Sequence, residues 1–139
     1  MILLDTNVVS ELMRRQSDQT VVEWLGQQAR VSLWISAVTL MEIRYGLQAM
    51  SGGRRQIETA RSFERLLSGV LGNRVAPFDG GAAEQTASLM ASRRARGRTG
   101  ELKDSMIAGI AIANRATLAT RNTTHFEDLP VPVVNPWAA

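Results

Sequence analysis

Apolar positions along the chain fall into two rhythms. Short runs rich in β-branched or aromatic residues stand at 2–4 (ILL), 31–35 (VSLWI), 75–78 (VAPF), 116–120 (ATLAT) and 131–134 (VPVV), each of strand length. Between them, apolar residues recur at helical spacing: Val22, Leu25 and Ala29 behind Ser17 as a cap; Ile57, Ala60, Phe63, Leu67 and Val70; Ala83, Ala87 and Met90; and Ile107, Ile110 and Ala111. Strands alternating with helices predict an α/β fold, a three-layer α/β/α sandwich around a mostly parallel sheet of five strands, because parallel neighbours need crossover helices that then cover both faces. The prolines at 130, 132 and 136 place the last strand at an edge of that sheet, where a missing N–H is tolerated.

The Gly52-Gly53, Gly80-Gly81 and Gly97-to-Gly100 stretches read as loops or caps and none as a domain linker, so residues 1–139 are expected to form one domain. The absence of cysteine excludes a disulfide scaffold and thiolate metal sites, and agrees with a reducing compartment. No charged-then-apolar leader follows Met1, and no apolar run approaches the roughly 18 residues of a membrane span. A soluble, cytoplasmic protein with no membrane partner is expected. No G-x-x-x-x-G-K-[ST], G-x-G-x-x-G or G-x-S-x-G pattern occurs, which removes support for phosphate-cradle and serine-hydrolase chemistry. The net charge is only +3, but fifteen of the sixteen cations are arginine, a residue suited to bidentate contacts with phosphate or carboxylate. Arg93, Arg94, Arg96, Arg98 and Lys103 crowd one segment opposed only by Glu101, which is either a solvated helix end or a patch that tracks a nucleic-acid backbone.

Three carboxylates stand at element edges. Asp5 ends the first strand, where ligands sit in open α/β sheets, although an Asp there equally caps the helix that follows. Glu42 falls two turns into a helix opened by Ser36, beside the apolar stripe of Leu40, Ile43 and Leu47, and Arg44 is not spaced to pair with it. Asp104 opens a helix that is apolar almost all round. His125, the only histidine, reads as a loop residue ahead of Phe126. Gathered in one pocket, the three acids would repel and hold their protons more tightly. A divalent ion removes that conflict, and an all-oxygen donor set favours Mg²⁺ or Mn²⁺ over zinc.

The series DTN (5–7), SAVTLMEIRYG (36–46), LKDSMIAGIA (102–111), LATRNTTHF (118–126) and VVNPW (133–137) resembles the PIN domain of VapC-type toxins of type II toxin–antitoxin systems, in particular their FitB-like subgroup. The resemblance implies a sheet of order 3-2-1-4-5 and a Mg²⁺- or Mn²⁺-dependent endoribonuclease. It implies Asp5, Glu42 and Asp104 as the metal-binding carboxylates and Thr6 as an assisting hydroxyl. Many PIN domains carry a fourth acid where this chain has Asn122, whose amide oxygen still serves as a neutral ligand. The resemblance further implies a cognate antitoxin that lays a basic C-terminal segment in the acidic pocket, and a homodimer to which Met13, Trp24, Met41 or Met50 contribute unless they lie in the core. The substrate would be RNA, with Arg93, Arg94, Arg96 and Arg98 as candidate backbone contacts. Asn122 keeps a second possibility open, a catalytically weak module that acts by binding an antitoxin and modulating its grip on DNA. A third, a flap-type DNA nuclease or phosphatase, is disfavoured by the small size of the chain.

Overall fold

The computed structural model describes residues 1–139. Five strands, β1 (Ile2–Leu4), β2 (Leu33–Ser36), β3 (Val75–Ala76), β4 (Thr117–Ala119) and β5 (Val133–Val134), form one sheet of order β3-β2-β1-β4-β5, and every neighbouring pair is parallel. The proline-rich β5 lies at the edge, as its missing donors require. Six helices provide the crossovers: α1 (Thr6–Leu12), α2 (Gln19–Gly26), α3 (Ala37–Ala49), α4 (Arg54–Arg65, prolonged by a π-helical turn at Leu66–Val70), α5 (Gly80–Ala95) and α6 (Leu102–Ala113). No helix is long and apolar enough to cross a membrane.

The alternation of side chains along each strand divides the core in two. Leu4, Leu33, Ile35 and Ala119 face a cluster with Val8, Val9, Val21, Trp24, Ile43 and Phe63 from α1 to α4. Leu3, Ala76 and Leu118 face the other way, onto Ala82, Leu89, Ile107 and Ile110 of α5 and α6. Both faces of the sheet are therefore covered, and its strands have no polar side.

Several helix faces differ from the spacing-based expectation. α2 is capped by Asp18, not Ser17, and buries Val21 and Trp24 while Val22 is exposed. α5 buries Ala82, Thr86 and Leu89, one residue out of phase with the expected Ala83, Ala87 and Met90. In that helix alanine and serine dominate, so the apolar stripe carries little phase, and the close approach of α6 decides the face. A Cβ on Gly109 of α6 would stand 2.8 Å from the Ala82 carbonyl oxygen and 1.8 Å from Thr86 Oγ1. Ile57, expected in the core, is exposed at the start of α4.

Candidate active site

In a sheet of this order the chain leaves β1 toward one side and β4 toward the other, which opens a crevice beyond their carboxyl ends. Leu4 is in register with Ile35 and Ala119, so Asp5, Ser36 and Thr120 emerge together at that rim. The crevice encloses about 500 Å³. Asp5, Thr6, Glu42, Asp104 and Asn122 all line it, as do Asn7, Glu11, Arg14, Arg121 and Trp137.

Asp5 is 4% exposed and does two jobs with two oxygens. Oδ1 accepts the N–H of Thr6 at 2.8 Å and so caps α1; Oδ2 accepts the hydroxyl of Thr120, also at 2.8 Å. Burial raises its pKa above the ordinary value, Asp104 and Glu42 raise it further, and the bonds from Thr120 and Thr6 oppose the shift. Glu42 is held from both ends: Thr6 Oγ1 donates to Oε1 at 2.9 Å, and Lys103 Nζ lies 3.7 Å from Oε2. Because the one hydroxyl hydrogen of Thr6 goes to Glu42, the 2.9 Å contact between Thr6 and Thr39 must be donated by Thr39. Ser36 in turn donates to Thr39 Oγ1 at 3.2 Å. Hydroxyls thus run in one direction from the cap of α3 to the Glu42 carboxylate.

Asp104 is the third residue of α6; Glu101 takes the cap position, so the expected helix-opening role belongs to Glu101. Burial pushes the Asp104 pKa up and Glu101 adds to this, while His125, whose Nδ1 lies 3.7 Å away, opposes it. His125 sits in the 3₁₀ turn Thr123–Phe126. Asn122 is exposed at the rim, and its backbone N–H donates to Thr120 Oγ1 at 3.1 Å.

No three acidic or imidazole groups stand close enough together here to hold an ion between them. Thr6 and Lys103 engage Glu42, and His125 faces Asp104, so these carboxylates are partnered separately. The donor set nonetheless suits a hard divalent cation: every candidate ligand is an oxygen and thiolate is absent, while the raised proton affinity of Asp5 comes first from burial and only then from the charges of Asp104 and Glu42.

The arginine segment departs most from expectation. Arg93 is buried, with Nε and Nη2 each 2.9 Å from the Asp128 carboxylate and Nη2 2.8 Å from the His125 carbonyl oxygen. It ties the loop before β5 to α5 and does not offer its guanidinium to a ligand. Asp128 also takes Arg96 at 2.9 Å, with Arg98 at 3.9 Å; Arg93 first, and Arg96 after it, hold its carboxyl well below the usual carboxylate range. Arg94 alone of the four has no carboxylate partner.

Thr39, Thr120, Asn7 and Glu11 were not singled out from the sequence. Thr39 and Thr120 lie inside the motifs quoted above, and a threonine directly after a buried strand or inside a helix cap was the available signal. Glu11 is 6% exposed, and its Oε2 accepts the N–H of Asp18 at 3.0 Å, which secures the entry to α2.

The PIN domain family model matches residues 2–131. The chain is 42% identical over 139 residues to the plasmid stability protein StbB of Pseudomonas syringae pv. tomato, covering 100% of both chains. It is 39% identical over 137 residues to the VapC ribonuclease Y4jK of Sinorhizobium fredii, covering 99% of this chain and 98% of that one. Among solved structures, FitAB bound to an IR36 DNA fragment superimposes with a TM-score of 0.89 at 34% identity, over 99% of this chain and 96% of the other.

Proposed function

The chain belongs to the PIN domain family, and we propose that it is the toxin of a type II toxin–antitoxin system, a Mg²⁺- or Mn²⁺-dependent endoribonuclease. One observation carries this reading: Asp5 just after β1, Glu42 of α3 and Asp104 of α6 line a single crevice at the switch point of the sheet. A relative that is a VapC ribonuclease and another that is a plasmid stability protein support it.

Asp5, Glu42 and Asp104 would hold the ion, with the Asn122 amide assisting. When bound, it supplies a Lewis acid for the scissile phosphate and lowers the pKa of an attacking water. The chain's own groups prepare the site. Thr120 orients Asp5, Thr6 orients Glu42, and burial of Asp5 keeps bulk water away from one wall. Because such attack does not use the 2′-hydroxyl, products carry 5′-phosphate and 3′-hydroxyl ends. Arg94 is the member of the arginine segment left to extend contacts along the RNA backbone.

The partners proposed are RNA, a cognate antitoxin whose basic C-terminal segment enters the acidic crevice, and a second copy of the chain. An arginine side chain is the natural occupant of such a carboxylate-lined pocket. Trp24 is buried, and Met13 and Met50 pack on the core, whereas Met41 and Tyr45 lie exposed four residues apart on α3 and support a dimer contact. The whole chain is proposed to act as one cytoplasmic domain. A second reading, an antitoxin-binding module with weak catalysis that modulates DNA binding, is favoured by Asn122 at the rim and by the DNA-bound FitAB neighbour.

Incubation of the purified chain with single-stranded RNA and with single- and double-stranded DNA, each in Mg²⁺, Mn²⁺ or EDTA, separates the readings. Metal-dependent RNA cleavage that disappears in Asp5→Asn while circular dichroism is retained is the expected result. Full cleavage by that variant sinks the assignment of Asp5, and no cleavage by the parent chain favours the binding module.

A further inference from the structure

The crevice has an acidic floor and only two cations, Arg14 and Arg121. Arg14 is paired with Glu11 at 3.2 Å. Arg121 has no ionic partner; its guanidinium lies over the indole of Trp137, 5.0 Å from the ring centroid. Both ends of this stack are fixed. The Arg121 backbone N–H donates to Asn7 Oδ1 at 3.3 Å, and the neighbouring residues Thr120 and Asn122 are joined through the Thr120 hydroxyl, which itself binds Asp5. Trp137 follows the buried Pro136 in a final 3₁₀ turn, its N–H donates to Asn135 Oδ1 at 2.9 Å, and its ring packs against the core cluster that includes Trp24. An exposed arginine ordinarily samples many rotamers; this one lies over an aromatic ring at the edge of the proposed catalytic crevice.

A stacked guanidinium keeps its in-plane N–H donors free and presents its outer face to solvent. Those are the two things a nucleotide needs, since a phosphate takes bidentate N–H donation and an unstacked base lies flat on a planar cation. We propose that Arg121 is a nucleotide subsite of the crevice, binding the phosphate that flanks the scissile one and stacking its base in single-stranded RNA, with Trp137 as the positioning residue behind it. This rests on the ribonuclease reading of the site. It also transfers the main RNA contact away from the arginine segment at the end of α5, where Asp128 already engages Arg93, Arg96 and Arg98.

The test is binding of a labelled single-stranded oligoribonucleotide in EDTA, measured by fluorescence anisotropy across a salt series. Arg121→Ala should weaken binding about tenfold and flatten the log–log salt slope by about 0.7, the value for one lost phosphate contact on a single strand. Arg121→Lys should restore the slope while recovering only part of the affinity, because charge returns without the plane. Trp137→Ala should weaken binding several-fold, Trp137→Phe should rescue it, and Trp137→Ala should add nothing in an Arg121→Ala background. A role in merely packing the tail predicts equal losses in both backgrounds. In Mn²⁺, Arg121→Ala should raise KM about tenfold with kcat within about threefold, as expected for a contact made equally before and during the reaction. Arg55→Ala, which removes an exposed charge from α4, is the control for net charge. Parental affinity and slope in Arg121→Ala overturn the subsite alone; absence of RNA binding by the parent chain overturns it together with the ribonuclease reading.

Discussion

Asp5 shows at the scale of one residue how burying a carboxyl at the wall of the crevice costs stability. Its folded pKa is raised, so the sign of the effect is fixed. Below 3.8 both folded and unfolded chains carry the proton and the carboxyl brings no penalty. As pH rises from there to the folded value, the unfolded chain ionises first and stability falls; above the folded value the whole penalty stands. Asp5→Asn abolishes this titration. In EDTA, the difference in unfolding free energy between variant and parent should therefore shift in the variant's favour from acid to neutral pH. Any cost of rearranging the Thr120 bond is independent of pH and does not alter that trend. Urea denaturation over a pH series measures it, and a flat difference would place the charge elsewhere. Thr39 is the second case. Thr39→Val leaves Ser36 without its acceptor and Thr6 without its donor, and a stranded buried hydroxyl costs about 1–3 kcal/mol. Thr39→Ser keeps the chain of hydroxyls and should retain cleavage where Thr39→Val loses it.

At the scale of elements, the position of α6 decides where Asp104 stands, and Gly109 decides how closely α6 approaches α5. Gly109→Ala sets a methyl group against a backbone carbonyl oxygen as well as against Thr86, and the carbonyl cannot rotate away. Overpacking of this kind costs about 1–3 kcal/mol; equilibrium urea unfolding should show that loss together with reduced cleavage, because the displaced helix carries Asp104. The buried Arg93–Asp128 pair, each side chain 5% exposed, holds the far loop in the same way. Asp128→Ala strands a buried guanidinium and should destabilise by about 3–5 kcal/mol, a loss read from the same denaturation curves. These two contacts also mark where the sequence stopped being legible. β1 at 2–4 and the edge position of β5 followed from apolar runs and prolines, and Ser36 as the α3 cap followed from its place ahead of a helical stripe. The start of β2 did not, because Val31 looks like strand but is 76% exposed in a 3₁₀ turn that precedes it. Arg93 continues the buried stripe of α5, yet its partner lies 35 residues away, and no local pattern announces a pairing across that distance.

For the whole molecule, the three acids were individually ambiguous in the sequence, and they line one crevice only because the parallel order of the sheet brings the end of β1, α3 and α6 to one rim. That arrangement has a thermodynamic consequence. An ion held by Asp5, Glu42 and Asp104 would tie together elements that are distant in sequence, and the unfolded chain, with its carboxylates dispersed, would bind it far less. Ligand linkage then requires that folding stability rise with ion concentration, by about 2.7 kcal/mol at a hundred times the dissociation constant. The EDTA-treated protein should accordingly show an unfolding midpoint that climbs with added Mn²⁺ until the site saturates. Removing one carboxylate should act in opposite directions on the two ends of the titration. Asp5→Asn begins from a neutral-pH stability relieved of the buried charge, and gains little as Mn²⁺ is added. The parent chain begins with that penalty in place and gains more. Parallel curves for the two proteins would mean that the ion binds outside the crevice, whereas convergence with rising Mn²⁺ locates it at the wall formed by Asp5.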